Sequence, residues 1–419
     1  MVEAPIADRM KWANALSTRS SLEAAIAEVV ERAQSSLGVP ANFGILFISA
    51  AFASEYSRLM PLLQERLTVP MLIGCSGGGI IGMDSDQEAQ EIEMEPALSL
   101  SLAYLPEVNV HTFHITSEEM PDLDSSPDAW VKLIGVSPEE QPDFILLADP
   151  MSKINDLLQG LDFAYPGSIK VGGQASANAM GGNNGLFCNY QLHREGIVGV
   201  ALSGKILMET IVAQGCRPIG ETYRVTEGER NIVLGLEAQT DAELSRSNGQ
   251  GRTPLTVLQE LIQDMSEEDR SLAQHSLFVG VARNAFKQKL EPGDFLIRQV
   301  LGVDPRVGAI AIGDRVRPGQ RIQFHLRDAD ASAEDLRTLL ERYCEQNSES
   351  SAPEAALMFS CLGRGEGLYG EPNFDSHLFS RYFGNVPLSG FFCNGEIGPI
   401  GGSTFLHGYT SVFGILRQG

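Results

Sequence analysis

Residues 74–78 read Gly-Cys-Ser-Gly-Gly, a GxSxG pattern of the kind that sets a nucleophilic serine on a sharp strand-to-helix turn. Ser76 would be the nucleophile of an acyl-transfer hydrolase, with Cys75 as the alternative. That chemistry also needs a histidine base and an acid. His193, His275, His325, His377 and His407 lie downstream, none beside a distinctive acid. The overlapping run Gly77-Gly78-Gly79-Ile80-Ile81-Gly82 satisfies GxGxxG. A dinucleotide site requires a helix to begin there, because the pyrophosphate sits on a helix N-terminus. The chain instead continues into the polar stretch Met83-Asp84-Ser85-Asp86, so the sequence favours a tight glycine turn over both motifs. His111 and His114 fall in a strand-like run, where residues three apart point to opposite faces and do not easily share a metal.

Four glycine-rich loops remain, at residues 74–82, 172–185, 361–370 and 394–402. Glycine lets backbone N–H groups approach a bound anion closely. Arg364, in Cys361-Leu362-Gly363-Arg364-Gly365, and Glu396, in Asn394-Gly395-Glu396, bring opposite charges to two of these loops. A cation, an anion and turn amides together suit a zwitterion such as an amino acid. The bland alternative is that Arg364 and Glu396 pair with each other or face solvent. Cys361 and Cys393 each close an apolar run beside a glycine loop, and a nearby Arg364 would make them the first thiols to react. Against that, free cysteine is among the most buried residue types.

The elements that position these loops recur. Residues 43–49 form an apolar strand, 54–67 a helix, and 71–75 a second strand that enters the glycine turn. The layout returns as strand 143–148, helix 152–161 and strand 169–171, and again as strand 355–361, helix 374–382 and a strand opening at 386. In two of the three, Val-Pro precedes the second strand and Cys-Ser-Gly or Cys-Asn-Gly ends it. Each is a strand–helix–strand unit, which makes its two strands parallel. Ligands in such sheets bind beyond the carboxyl ends of the strands. Other segments read as antiparallel: 185–189 with 196–202 as a hairpin, and strands at 296–301, 307–312 and 321–326. A capping pattern at Ser20-Ser21-Leu22-Glu23 and a stop at Gly38 bracket a helix with Leu22, Ile26, Val29, Val30 and Ala33 on one face. Thr253-Pro254 opens a helix running to about Met265, and Ser332 with Asp335 opens another. The fold class expected is α/β (mixed α+β), in two domains with mixed parallel and antiparallel sheets flanked by helices.

At 419 residues the chain exceeds what one hydrophobic core usually serves. The character shifts near 218–230, which places an N-terminal helix within 1–40, a first domain at 41–222 and a second at 223–419. A net charge of −23 favours solubility and opposes binding to nucleic acid or anionic membrane. The opening residues carry no apolar signal core, and no apolar run is long enough to span a bilayer. The six cysteines show no CxxC or zinc spacing, which fits reduced thiols in a cytoplasmic protein.

An ordered set of short motifs covers nearly the whole chain. It comprises Ile73-Gly74-Cys75-Ser76-Gly77-Gly78, Val171-Gly172-Gly173 and Gly196-Ile197-Val198-Gly199-Val200-Ala201 in the first half. In the second half come Arg217-Pro218-Ile219-Gly220, Tyr223-Arg224-Val225-Thr226, Arg298-Gln299-Val300-Leu301-Gly302, Phe359-Ser360-Cys361-Leu362-Gly363-Arg364-Gly365, Gly390-Phe391-Phe392-Cys393-Asn394-Gly395-Glu396-Ile397-Gly398-Pro399 and His407-Gly408-Tyr409-Thr410. By these the chain resembles the FIST proteins, which occur in bacterial signal transduction and in a eukaryotic F-box protein. The resemblance implies two FIST domains, N- and C-terminal, that sense a small ligand, with amino acids proposed, and that lack catalytic activity. Its motifs, with the glycine loops, nominate Gly74, Cys75, Ser76, Gly78, Gly172, Gly173, Arg298, Cys361, Arg364, Asn394, Gly395, Glu396 and His407 as ligand-binding. Some similar proteins are thought to bind haem and report nitric oxide. With no CxxCH in this chain, a haem would be non-covalent on His or Cys. No kinase, cyclase, methyl-accepting or F-box segment is expected here, so signalling would pass through a separate partner.

Overall fold

The computed structural model describes residues 9–177, 183–238, 251–284, 287, 289–290, 292–348 and 350–419. The chain forms two units. One is built from the chain up to Ala213 together with Arg337–Gly419, and the other from Gln214–Leu336. Parallel and antiparallel strands are mixed, with helices on the sheet faces, as the sequence predicts.

The first unit holds three six-stranded sheets of one plan. At the centre of each lies a parallel pair joined by a helix. The pairs are Phe43–Ser49 with Met71–Gly77, Asp143–Ala148 with Lys170–Gln174, and Ala355–Cys361 with Leu388–Cys393. Their helices are Tyr56–Gln64, Ile154–Ala164 and Phe374–Phe383. All seven residues of Phe43–Ser49 and of Ala355–Cys361 are buried, which is why these strands read as unbroken apolar runs. Beside the first strand of each pair lie two antiparallel strands: Leu98–Tyr104 then Lys11–Ser17, Ile197–Gly204 then Val108–Ile115, and Ser411–Gln418 then Ile206–Ala213. Beside the second strand lies a hairpin that comes from another sheet's pair. Met71–Gly77 continues into Gly79–Met83 and Ala89–Glu93, which join the third sheet. Leu388–Cys393 continues into Glu396–Ile400 and Ser403–His407, which join the second. Lys170–Gln174 leads to Leu186–Cys188 and Gln191–His193, which join the first. The exchange closes into a cycle.

This cycle corrects the expected hairpin of 185–189 with 196–202. Leu186–Cys188 turns back on Gln191–His193 in the first sheet, whereas Ile197–Gly204 lies in the second. The helix Leu22–Leu37 starts at Ser21, whose side chain accepts from the Ala24 N–H, and ends at Gly38 in the left-handed conformation. Its apolar face packs on the first sheet. The strand Lys11–Ser17 before it was not foreseen.

The second unit is a six-stranded closed barrel in the order Cys216–Glu229, Ile232–Ala238, Ala309–Ile312, Phe295–Asp304, Leu277–Ala282, Arg321–Arg327. Ile322, Phe324 and Leu326 alternate into its core with Val279, Val281 and Tyr223. The helix Pro254–Asp264, capped by Thr253, adds Val257 and Leu258 to that core. The helix expected to open at Ser332 begins at Ala329, because Asp328 accepts from the Ala331 N–H at 2.6 Å while the Ser332 hydroxyl donates to the Gly215 carbonyl. Among the described residues no helix is long and apolar enough to cross a membrane.

Candidate functional site

The three second strands end side by side, because each passes directly from its own sheet towards the next. Their ends are tied by backbone and serine hydrogen bonds. Ser76 exchanges backbone bonds with Gly185 and Ser176: its N–H donates to the Gly185 carbonyl at 2.9 Å, and its carbonyl accepts from the Ser176 N–H at 3.2 Å. The Ser76 hydroxyl accepts from the Gly185 N–H at 2.9 Å. Ser176 is the clasp. Its hydroxyl accepts from the Gly78 N–H at 2.8 Å and donates to the Phe392 carbonyl, so one side chain touches the ends of the other two strands. The Gln174 N–H donates to the Gly395 carbonyl at 2.8 Å and the Asn394 N–H to the Gln174 carbonyl at 3.1 Å. Gly74, Cys75, Ser76, Gly78, Gly172, Gly173, Asn394 and Gly395 are thereby brought together. Cys361 joins them, in register with Cys393. At the surface of this cluster lie half-buried Gly78 and exposed Leu362 and Asn394; the others are buried.

The charged residues lie beneath. Arg364 is 1% exposed and forms a two-point ion pair with Asp375, at 2.7 and 3.0 Å, with Tyr369 bonded to both. Of the two alternatives open for Arg364 and Glu396, the structure takes neither in full: Arg364 is engaged by an aspartate at the start of the helix Phe374–Phe383. Glu396 is fully buried. Its Oε2 accepts from the Thr410 N–H and hydroxyl at 3.1 and 2.7 Å, and its Oε1 has no hydrogen-bond partner among the described residues. Burial pushes its pKa up to about 8, against the pull of the Thr410 bonds and the Arg364 charge. Glu91 is raised to about 8 as well, by burial and then by the charge of Asp375.

Burial drives the thiols of Cys75 and Cys393 well above the ordinary range. Cys361 and Cys393 are buried while Cys216 and Cys344 are half-buried, which agrees with inert core cysteines rather than with a first-reacting pair. Ser76 lies within the strand Met71–Gly77, which passes into the strand Gly79–Met83 with no helix after it, so neither the nucleophile elbow nor the dinucleotide turn forms. His407 is buried in the hairpin, its Nε2 against the Gly398 carbonyl at 3.0 Å. Arg298 belongs to the barrel unit, ion-paired with Asp314 at 2.9 Å. His114 stacks on His193 at 3.7 Å between ring centres, while His111 is exposed. No group of three or more metal-ligating side chains occurs among the described residues.

Ser176 and Asp375 escaped the sequence reading. Ser176 had a signal: when the three units are superposed by strand pairing it falls on Gly78 and Asn394, the residues at the mouth. Asp375 had none, since an acid in a first helical turn is ordinary capping chemistry.

The cleft of about 1030 Å³ that His275 lines in the barrel unit does not suit a haem: Arg217 is there, but it is already paired with Asp269 and Asp328, and Glu268, Asp330 and Glu334 remain to oppose the two propionates.

Residues 42–239 match the FIST N domain and residues 254–399 the FIST C domain. An uncharacterised protein of Mycobacterium tuberculosis is 33% identical over 399 residues, 94% of this chain and 97% of its own. Another, of Mycobacterium bovis, is 31% identical over 396 residues, 94% of this chain and 95% of its own. An F-box/LRR-repeat protein of Arabidopsis thaliana is 22% identical across 84% of this chain and 76% of its own. Among solved structures, a cyanuric acid hydrolase aligns with 98% of this chain and 100% of its own, at 8% identity and a TM-score of 0.33. The same enzyme from A. caulinodans aligns with 97% of this chain and 99% of its own, at 9% identity and a TM-score of 0.32. The expectation of a chain without catalytic activity meets two aligned chains that are hydrolases, and it is not carried forward. At these TM-scores the likeness assigns no reaction, substrate or residue.

Proposed function

We propose a function from one premise: this chain belongs to the FIST family, whose domains are signal-transduction sensor modules that bind small ligands. The protein binds a small carboxylate metabolite, such as an amino acid, at the mouth formed by Gly78, Leu362 and Asn394, and acts in the cytoplasm through a separate signalling partner. The observation that carries this reading is the convergence of three strand ends held by Ser176. The carboxyl ends of strands are where α/β sheets bind ligands, and glycine lets a ligand come close to the backbone there. Asn394 supplies an exposed amide at the rim. Arg364 acts from below, through the field of its pair with Asp375, rather than as a direct ligand.

A thermal-shift screen over amino acids and small carboxylates tests it. A ligand at about 100 times its Kd should stabilise the protein by about 2.7 kcal/mol. Asn394→Asp, which sets a negative charge at the mouth, should weaken a carboxylate about tenfold while leaving the ligand-free melting temperature near its original value. Absence of any saturable shift across the screen, or an unchanged affinity in the variant, would sink the site.

A further inference from the structure

In the barrel unit one strand outruns its neighbour. Phe295–Asp304 pairs through residues 295–299 with Leu277–Ala282 on one side, and through residues 300–304 with Ala309–Ile312 on the other. Beyond residue 299 the first side has no strand beside it among the described residues. The backbone N–H and C=O groups that point that way form a short open edge. An extra residue between Val300 and Gly302 bends the strand at this place.

The side chains along this edge are apolar and meet water. Leu301 is 57% exposed and Val303 43%, and a Cβ placed on Gly302 would meet nothing within 4 Å. Val307, in the turn that follows, is 57% exposed. Ile232 pairs with Ala311, as Gly302 does from the other side, and adds a fourth exposed apolar group. The other large apolar side chains exposed among the described residues, such as Met94, Phe163 and Leu207, are scattered along the chain, which is ordinary for a folded surface. Open edges are usually blunted by a lysine or a proline. Residues 300–303 carry neither.

Charge and geometry say what covers this edge. A chain of net charge −23 repels a second copy wherever acidic residues face each other. Here the flanking charges are matched within the fold: Arg306 pairs with Asp304 and Arg298 with Asp314, both at 2.9 Å. An antiparallel edge is also its own complement, since a two-fold axis sets its donors opposite its acceptors. A lipid surface would leave the same backbone groups without partners. We propose that residues 300–304 pair antiparallel with the same segment of a second copy of this chain, covering Leu301, Val303 and Val307 of both. So short an edge makes a small interface, and the dimer is therefore reversible and concentration-dependent. The reading of the mouth at Gly78 and Asn394 does not depend on it.

Sedimentation equilibrium of the full chain from about 1 μM to about 500 μM tests this. The weight-average mass should climb from the monomer value of 45.4 kDa towards twice that. Raising sodium chloride from about 50 mM to about 500 mM should strengthen association, because salt screens the repulsion between two acidic chains. Leu301→Lys and Val303→Lys, both at exposed positions, should each weaken the dimer about tenfold or more while the monomer melts near its original temperature. Hydrogen exchange gives a second readout: amides on the open edge should slow as the native protein is concentrated, and should not in Leu301→Lys. A mass that stays at the monomer value throughout, a dimer that survives both substitutions, or association that weakens with salt overturns the inference. A chain that stays monomeric but sediments with phosphatidylcholine–phosphatidylserine vesicles, and loses that in Leu301→Lys, makes this face a lipid contact and overturns it equally.

Discussion

Glu396 shows how one buried group ties stability to pH. Its carboxyl is raised to about 8 in the fold, against an ordinary value of about 4.3 in an unfolded chain. The folded state therefore holds a proton that the unfolded state releases. Stability from this group is full below about pH 4 and is lost as the pH climbs through about 8. Glu91, raised for the same reason, adds to the slope. Glu396→Gln keeps the acceptor for Thr410 and removes the titration. Denaturant melts at pH 5, 7 and 9 should show the native protein losing on the order of a few kcal/mol across that range, and the variant losing distinctly less. Equal slopes would mean that Glu396 is ionised in the fold.

At the scale of elements, three glycines set the geometry of the strand ends. Gly74, Gly172 and Gly390 hold the same place in the three parallel pairs, opposite Leu46, Leu146 and Met358. A Cβ there would lie 2.3, 1.9 and 1.8 Å from the carbonyl oxygen of that partner. No rotamer change relieves a clash with backbone, so the strand must move and the serine clasp with it. Gly390→Ala should cost more than about 4 kcal/mol or abolish folding, whereas Gly367→Ala, with open space around it, should be near neutral. Circular-dichroism melts of the two variants check this, and a mild Gly390→Ala would show that the strands yield more easily than their close approach implies. The parallel pairs themselves were legible, because FGILFIS and AALMFSC are apolar but for one serine each and a helix-length segment comes after each. The hairpins were not. Leu186–Cys188 has three residues, and the turn chemistry after it points to a local partner, while its inner neighbour is Met71–Gly77, more than a hundred residues away. The place of Arg364 was half legible: its loop could be read, but the aspartate that holds it lies on a helix whose side-chain direction no local pattern reveals.

At the scale of the three-sheet unit, the exchange of hairpins makes each sheet depend on the next. Removing Gly79–Met83 exposes an edge of Leu388–Cys393, removing Glu396–Ile400 exposes Lys170–Gln174, and removing Leu186–Cys188 exposes Met71–Gly77. An exposed edge of buried apolar strands is unstable, because its N–H and C=O groups lose their partners and its side chains meet water. No sheet can therefore open alone without unpairing a strand of its neighbour. Local openings ordinarily span a wide range of free energies, and separable motifs open as separate units. Here the cycle predicts the opposite for these strands. In native-state hydrogen exchange the amides of Ile81, Phe187 and Ile397, one from each donated hairpin, should exchange through a common opening, with free energies that agree within about 1 kcal/mol and fall together as denaturant is added. A ligand at the mouth should raise all three by the same amount, since it binds only the state in which the three strand ends meet. If one hairpin opens at distinctly lower cost while the other two stay protected, the sheets are independent modules and the mouth is assembled from parts that move separately.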